Sequence, residues 1–122
     1  MIETRADNVM EKRRFQRIDS NLPLRYKNIK TATVPVGSLT KDISEGGIRF
    51  KTNEFISLAC RLVVEITLPT VQRPVKAISK VAWIRKLSSG EQYELGNQFL
   101  EISKEDRGLI TDYMGRLRAA DL

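Results

Sequence analysis

Apolar and polar residues alternate one by one along several short segments of this chain, and this period of two constrains its fold most strongly. Residues 62–68 alternate in this way until Pro69 ends the pattern. Because successive side chains of a β-strand point to opposite faces, such a segment forms a half-buried strand. Pro35 and Gly37 lie inside another such segment and predict an edge position or a bulge there. The further predicted strands are residues 22–27, 31–39, 48–50, 75–83 and 93–99.

The C-terminal segment has the period of a helix instead. Ser103 is a suitable N-cap, and acidic residues follow in the first turn, where they complement the helix dipole. One apolar face then recurs at helical spacing, formed by Ile110, Tyr113, Met114 and Leu117. Six strands and one terminal helix at residues 103–118 therefore predict a mainly β protein, a small antiparallel barrel with the helix packed on it.

The bulk composition fits one folded domain. The chain has 122 residues, of which 41% are hydrophobic and 30% are charged, so it can form a core without disulfides. No apolar run approaches the roughly 20 residues that span a bilayer. Residues 1–12 also lack the apolar core of a secretory signal. We therefore expect a cytoplasmic protein whose residues 1–11 form a flexible tail.

Two residue counts limit the chemistry available to this chain. Histidine is absent, which removes the usual general base and the usual zinc and iron ligand. The single cysteine, Cys60, precedes an apolar strand and is expected to be buried and inert, since a reactive thiol needs an electropositive, accessible setting. An enzyme is the least supported class, and neither a metal nor a cofactor is expected.

The net charge of +6 favours an anionic partner, and much of it lies near the N-terminus. Between Lys12 and Lys30 the chain has seven basic residues and one acid. Arg13 and Arg17 form an Arg-x-x-x-Arg motif that also contains Arg14. Guanidinium groups match phosphate and the acceptor edge of guanine, and they stack on bases. This pattern indicates a phosphate-binding segment, with a solvated basic face as the alternative.

A second motif reads Asp-x-Ser-x-x-Gly and comprises Asp42, Ser44 and Gly47. A carboxylate accepts hydrogen bonds from the N1–H and N2–H₂ donors of guanine, and a hydroxyl bonds to phosphate, base or backbone. If this segment is extended, Asp42 and Ser44 point the same way. Gly46 and Gly47 permit positive φ and a close approach of the backbone. Since these residue types also form turns in any protein, a plain loop is the alternative.

The two motifs, in this order and about 25 residues apart, resemble the signature of PilZ domains, the bacterial receptors for cyclic di-GMP. The resemblance covers nearly the whole chain. Residues 22–26 resemble the family's first strand, residues 47–50 the strand after the second motif, and residues 96–99 its closing Gly-x-x-Phe strand. It implies a six-stranded antiparallel β-barrel with a C-terminal helix, which binds the nucleotide on its outer face while the arginine segment folds over it.

Carried over residue by residue, the resemblance implies roles for both motifs. Arg13 and Arg17 would contact guanine and phosphate. Asp42 and Ser44 would hold a guanine edge, and Gly47 would give the ligand room.

Further residues have weaker implied roles. Arg14 would be an additional phosphate contact, and Lys12 precedes the motif at a position where, in this family, a side chain influences whether one nucleotide or an intercalated pair is bound. Trp83 continues a strand alternation, which favours core packing or the barrel surface over base stacking. Three residues could line the site or be ordinary barrel positions: Gly46, Arg49 and Gln98.

The resemblance predicts a receptor and adaptor without catalysis. The PilZ domain would span residues 12–118, with the barrel at 21–102. Ligand would dock the mutually repelling segment 12–20 onto the barrel, and the new surface would signal to a protein partner in the flagellar, pilus or polysaccharide machinery. The chain would be a monomer or homodimer, without membrane insertion or nucleic acid. Two alternatives remain: a protein adaptor that has lost the ligand, and a basic barrel that binds nucleic acid, which the scarcity of aromatic residues disfavours.

Overall fold

The computed structural model describes residues 17–31, 34–88 and 90–121. The predicted tail at residues 1–11 and the candidate ligand residues Lys12, Arg13 and Arg14 lie outside this range. Within it the chain forms seven strands and one helix: β1 Ile18–Asp19, β2 Pro23–Asn28, β3 Val36–Ser44, β4 Gly47–Thr52, β5 Arg61–Ile66, β6 Val75–Lys86, β7 Tyr93–Ile102 and α1 Lys104–Asp121.

The strands form a closed antiparallel barrel. Their order is β1-β3-β2-β5-β6-β7-β4, and an additional pairing between β3 and β4 closes the sheet. Strands β2 to β7 make up the barrel, and the short β1 pairs with β3 from outside, with Ile18 opposite Ile43. The predicted six-stranded barrel with a C-terminal helix is therefore confirmed, with β1 as one further strand.

The second predicted strand was placed too early. β3 begins at Val36, opposite Tyr26 of β2, and runs through the Asp-x-Ser motif to Ser44. Its irregularity lies between Thr40 and Asp42 rather than near Pro35, which precedes the strand. Residues 37–47 are rich in turn-forming types, but pairing with β2, β1 and β4 overrides that local preference.

The barrel interior is one apolar core, which α1 completes. The inward side chains of the strands are almost fully buried, among them Phe50, Leu62 and Leu95. Ile110 and Met114 of α1 belong to the same cluster, so the helical face read from the sequence is the face that packs. No helix in the described part of the chain is long and apolar enough to cross a membrane.

The first turn of α1 is fastened to the barrel. The hydroxyl of Ser103 accepts a hydrogen bond from the backbone N–H of Asp106 at 3.0 Å, which makes it the N-cap. The Asp106 carboxylate accepts bonds from Arg73 at 2.6 Å and from the backbone N–H of Lys76 at 3.0 Å. Burial raises the pKa of Asp106, but these bonds outweigh it and the net shift is downward.

Cys60 is half-buried rather than fully buried. Its sulfur accepts a hydrogen bond from the side-chain amide of Asn28 at 3.0 Å. The thiol is therefore partnered at the end of the barrel where β2 finishes and β5 begins.

Candidate ligand-binding site

Asp42 holds two arginines from different parts of the chain. Its Oδ1 lies 2.7 Å from Nη1 of Arg17, and its Oδ2 lies 2.5 Å from Nη2 of Arg49. The short strand β1 places Arg17 there, because Asp19 pairs with Asp42, and Arg49 is the direct neighbour of Asp42 across the β3–β4 hairpin. The carboxylate is buried, whereas the Arg17 side chain is 46% exposed. One guanidinium of the first motif is therefore fixed beside the second motif.

A second carboxylate, Glu94, continues this row of charges. Glu94 is fully buried, and its Oε1 accepts hydrogen bonds from Arg85 at 2.7 and 2.9 Å. Its Oε2 lies 3.3 Å from Nζ of Lys41 and 3.9 Å from Nε of Arg49. Burial raises the pKa of Glu94, but the cations around it outweigh this effect and the pKa is lowered.

Sequence reasoning missed Glu94 and two of its partners, Lys41 and Arg85, whereas Arg49 was among the residues that could line the site. The glutamate follows Tyr93 in an ordinary strand pattern, and nothing next to it marks it as buried. Lys41 comes from β3, Arg49 from β4 and Arg85 from β6, so only the closed barrel brings them together.

The hairpin between β3 and β4 is held by its own motif residues. The Ser44 hydroxyl accepts a hydrogen bond from the backbone N–H of Gly46 at 3.1 Å. The Gly46 carbonyl accepts one from Phe99 at 2.9 Å, which ties the turn to β7. A Cβ on Gly47 would collide with the carbonyl oxygen of Asn97, so glycine allows β4 to approach β7. Residues 42–47 are therefore a strand and a tight turn rather than a plain loop.

A cleft of about 260 Å³ opens beside this hairpin. Four of the predicted site residues line it, namely Arg17, Ser44, Gly46 and Gln98, together with Ala82, Trp83, Gly96 and Asn97. Asp42 and Arg49 lie behind Arg17 and support it from the barrel wall. Gly47 pairs with Gln98 below the turn.

Trp83 forms one wall of the cleft. Its side chain is 38% exposed and lies against Gly96, where any Cβ would collide with the indole ring. The residues of β6 point inward at every second position up to Val81, and a register shift between Val81 and Trp83 then turns the tryptophan outward. Strict alternation of apolar and polar residues could not predict that the Trp83 side chain points outward. A tryptophan opposite a glycine of the neighbouring strand is, however, a signal for an indole ring that lies across that glycine.

The helix also supports the hairpin. Nη1 of Arg107 in α1 donates a hydrogen bond to the backbone carbonyl of Glu45 at 2.7 Å. Glu45 lies between Ser44 and Gly46 at the tip of the turn, so the position of the motif depends on α1 as well as on the barrel.

The cleft combines groups that suit a nucleotide. Arg17 offers a planar, permanently charged donor, and Ser44 and Gln98 offer neutral hydrogen-bonding groups. The indole of Trp83 offers a flat face on which a base can stack. Around Asp42 and Glu94, four cationic side chains surround two carboxylates, so the cluster keeps a net positive charge.

Comparisons with known proteins point in the same direction. The family model of the PilZ domain matches residues 11–116. The structure of the Bacillus subtilis inhibitor of motility, MotI/DgrA, is similar with a TM-score of 0.76 and 20% identity, over 88% of this chain and 52% of that one. Escherichia coli YcgR in complex with c-di-GMP is similar with a TM-score of 0.73 and 14% identity, over 90% of this chain and 47% of that one.

A third structure extends the comparison. Borreliella burgdorferi PlzA in complex with c-di-GMP is similar with a TM-score of 0.57 and 20% identity, over 90% of this chain and 45% of that one. The chain thus spans about half the length of these three proteins. Comparison with curated proteins gave no significant match.

Proposed function

Because this chain belongs to the PilZ domain family, we propose that it is a receptor for cyclic di-GMP. The observation that carries the proposal is the ion pair between Arg17 and Asp42, which joins the two sequence motifs across 25 positions of the chain. Two of the similar structures, YcgR and PlzA, are complexes with this nucleotide. Similarity at that level of identity supports the fold, and the cleft beside Arg17 supports the ligand.

In the proposed complex Arg17 contacts a phosphate or the acceptor edge of a guanine. Its guanidinium is already oriented by Asp42, so little side-chain entropy is lost when the ligand arrives. The remaining positive charge of the cluster attracts the two phosphates of the nucleotide. Trp83 stacks on a guanine, while Ser44 and Gln98 reach polar groups of the same ligand.

The proposed role is that of an adaptor rather than an enzyme. Arg13 and Arg14, which lie outside the described residues, would close over the bound nucleotide and so create a surface for a protein partner. A link to motility is supported by the similarity to the inhibitor of motility from Bacillus subtilis.

Isothermal titration calorimetry tests the proposal. Cyclic di-GMP should bind selectively, and GTP and cyclic di-AMP serve as control ligands. Arg17→Ala should weaken binding at least about tenfold, because a hydrogen bond to a charged group contributes about 1.5–3 kcal/mol. Arg118→Ala, which removes an exposed arginine at the far end of α1, is the matched control and should keep the wild-type affinity.

Two outcomes would contradict the receptor proposal. A folded protein that gives no heat with cyclic di-GMP would favour an adaptor that has lost its ligand. Wild-type affinity in Arg17→Ala would show that the nucleotide binds elsewhere.

A further inference from the structure

A row of apolar side chains crosses the outer face of the barrel, away from the cleft. Val63 of β5 and Ile78 of β6 are direct cross-strand neighbours, and both are half-buried. Lys27 of β2 stands opposite Val63 on the other side. Leu100 of β7 is 39% exposed and lines the same groove as these three residues. These apolar side chains are therefore in contact with water. The outward positions of an antiparallel strand usually carry polar residues instead.

Two basic residues stand directly opposite each other beside this row. Arg61 of β5 pairs in register with Lys80 of β6, and both side chains point outward. Within the described part of the chain neither has an acidic partner. Like charges directly opposite each other destabilise a sheet. Folding thus gains nothing from this pair, whereas an acidic group bound between them would remove the repulsion.

The charges on the opposite side of the apolar row are more balanced. Glu65 is the cross-strand neighbour of both Arg25 and Lys76, and its Oε2 lies 3.6 Å from Nζ of Lys76. Arg61 and Lys80 therefore differ from the Lys76–Glu65 pair in that two cations stand opposite each other. Because the two ends of the apolar row differ in charge, an acidic partner would orient its carboxylates toward Arg61 and Lys80 rather than toward Glu65.

The apolar row forms the floor of an open groove of about 820 Å³. Its far wall is the start of α1, where Ser103, Asp106 and Arg107 line it. Arg107 is the residue whose guanidinium bonds to the carbonyl of Glu45 in the motif hairpin. The groove and the nucleotide cleft therefore share a supporting side chain.

We propose that this groove, together with the Arg61–Lys80 pair that adjoins its floor, is the docking surface for an acidic amphipathic segment of a protein partner. Its apolar side chains would cover Val63, Ile78 and Leu100, and its carboxylates would lie between Arg61 and Lys80. A nucleic acid fits less well, because the groove offers no aromatic side chain for stacking.

The test uses the full chain without nucleotide, so that failure of the receptor proposal would leave the result unaffected. The probe is a fluorescein-labelled helical peptide of Leu and Glu in amphipathic order, titrated by fluorescence anisotropy at physiological salt. We expect a Kd of about 100 µM or tighter. Replacing Glu by Lys, or Leu by Ser, in the peptide should each weaken binding at least about tenfold, since charge and apolar contact are both required. Amide chemical-shift changes should centre on Val63, Ile78 and Leu100.

Charge reversal in the protein provides the second arm. The double variant Arg61→Glu with Lys80→Glu should lose at least about tenfold in affinity for the acidic peptide. Lys86→Glu with Arg118→Glu changes the net charge equally at exposed positions that neither line the groove nor belong to the Arg61–Lys80 pair, and should bind as the wild type does. Amide spectra of both variants establish that they are folded.

Three results would overturn the proposal. The first is no binding of the acidic peptide to the wild-type chain, and the second is equal binding to the two double variants. The third is tighter binding of single-stranded DNA or of anionic phosphatidylserine vesicles through Arg61 and Lys80, which would assign the surface to nucleic acid or membrane instead.

Discussion

At the residue scale, Trp83 provides a direct probe of the cleft because it is the only tryptophan in the chain. Its exposed indole lines the cleft together with Arg17. Stacking of a guanine on this ring should change its emission, so titration with cyclic di-GMP should alter the intrinsic fluorescence in a saturable way. Trp83→Ala should weaken binding by about 1–3 kcal/mol, the typical contribution of base–aromatic stacking, and Trp83→Phe should weaken it less.

The matched control is Arg17→Ala, which keeps the tryptophan. In this variant the same change in emission should require a higher concentration of nucleotide. Constant emission at nucleotide concentrations that saturate the protein by calorimetry would place Trp83 outside the ligand contact.

Individual site residues differ in how far the sequence could predict them. Arg17 and Asp42 were recognisable because each belongs to a short motif with a defined spacing. Glu94 was not, since its cationic partners come from three other strands and no local pattern signals its burial. For Trp83 the sequence left core packing and the barrel surface open, because a register shift between two strands decides the direction of its side chain. A sequence motif indicates residues that are close along the chain, whereas an ion-pair network between strands can be recognised only once the strand pairing is known.

At the element scale, the helix contains two glycines that contribute nothing visible to packing. A Cβ at Gly108 or Gly115 of α1 would meet no atom within 4 Å, and both positions are exposed. Replacement of either glycine by alanine should stabilise the protein by about 0.5–1 kcal/mol, because alanine loses less backbone entropy in a helix. Urea denaturation measures the change. Gly47→Ala is the contrasting variant and should be destabilised by its collision with the Asn97 carbonyl.

The like-charge pair between β5 and β6 gives a second prediction at this scale. Arg61→Glu converts the Arg61–Lys80 pair into an opposite-charge pair and should raise stability by about 0.2–1 kcal/mol. Lys86→Glu, at the exposed end of the same strand as Lys80, is the single-charge control. Thermal unfolding that shows no gain over this control would mean that the two side chains avoid each other in solution.

Six of the seven strands and the helix were predictable as elements, but the short β1 was not, and β3 was placed too early. The apolar alternation of β5 and the amphipathic face of α1 can each be recognised from the residues of that element alone. β3 differs, because its second half contains the turn-forming residues Asp42 and Ser44 and is a strand through pairing with β1 and β4 on either side. Tertiary pairing decided this position, which no propensity within residues 37–44 could show.

At the scale of the whole molecule, closure of the barrel brings cations from three strands around one buried carboxylate on a fourth strand. This carboxylate is Glu94, with Arg85, Lys41 and Arg49 around it, and Asp106 fastens α1 to the same barrel. These carboxylates carry no catalytic role in the proposed function. Their ionisation nevertheless couples the stability of the fold to pH, because Glu94 contacts side chains of three other strands and Asp106 holds the helix against the barrel.

The free energy of unfolding should therefore decrease when the pH is lowered into the acidic range. The pKa values of Glu94 and Asp106 are lowered in the folded protein, so their contribution is complete above the unfolded values of about 3.9–4.3 and is lost as pH falls through the folded values. Burial raises the pKa of Tyr113, so the opposite sign applies and stability declines above about pH 10. Histidine, the side chain that usually titrates near pH 6.5, is absent. The free energy of unfolding should therefore change little with pH between these two limits.

Chemical denaturation at a series of pH values measures this profile, and Glu94→Gln isolates the contribution of the buried cluster. At pH 7 the variant should be less stable by about 1.5–3 kcal/mol, because the ion pairs with Arg85 and Lys41 are lost while the cations remain. Below about pH 4 it should lose less further stability than the wild type, since the glutamine has no proton to bind. An acid limb as steep in Glu94→Gln as in the wild type would assign the acid sensitivity to other carboxylates, with Asp106→Asn as the next variant to compare.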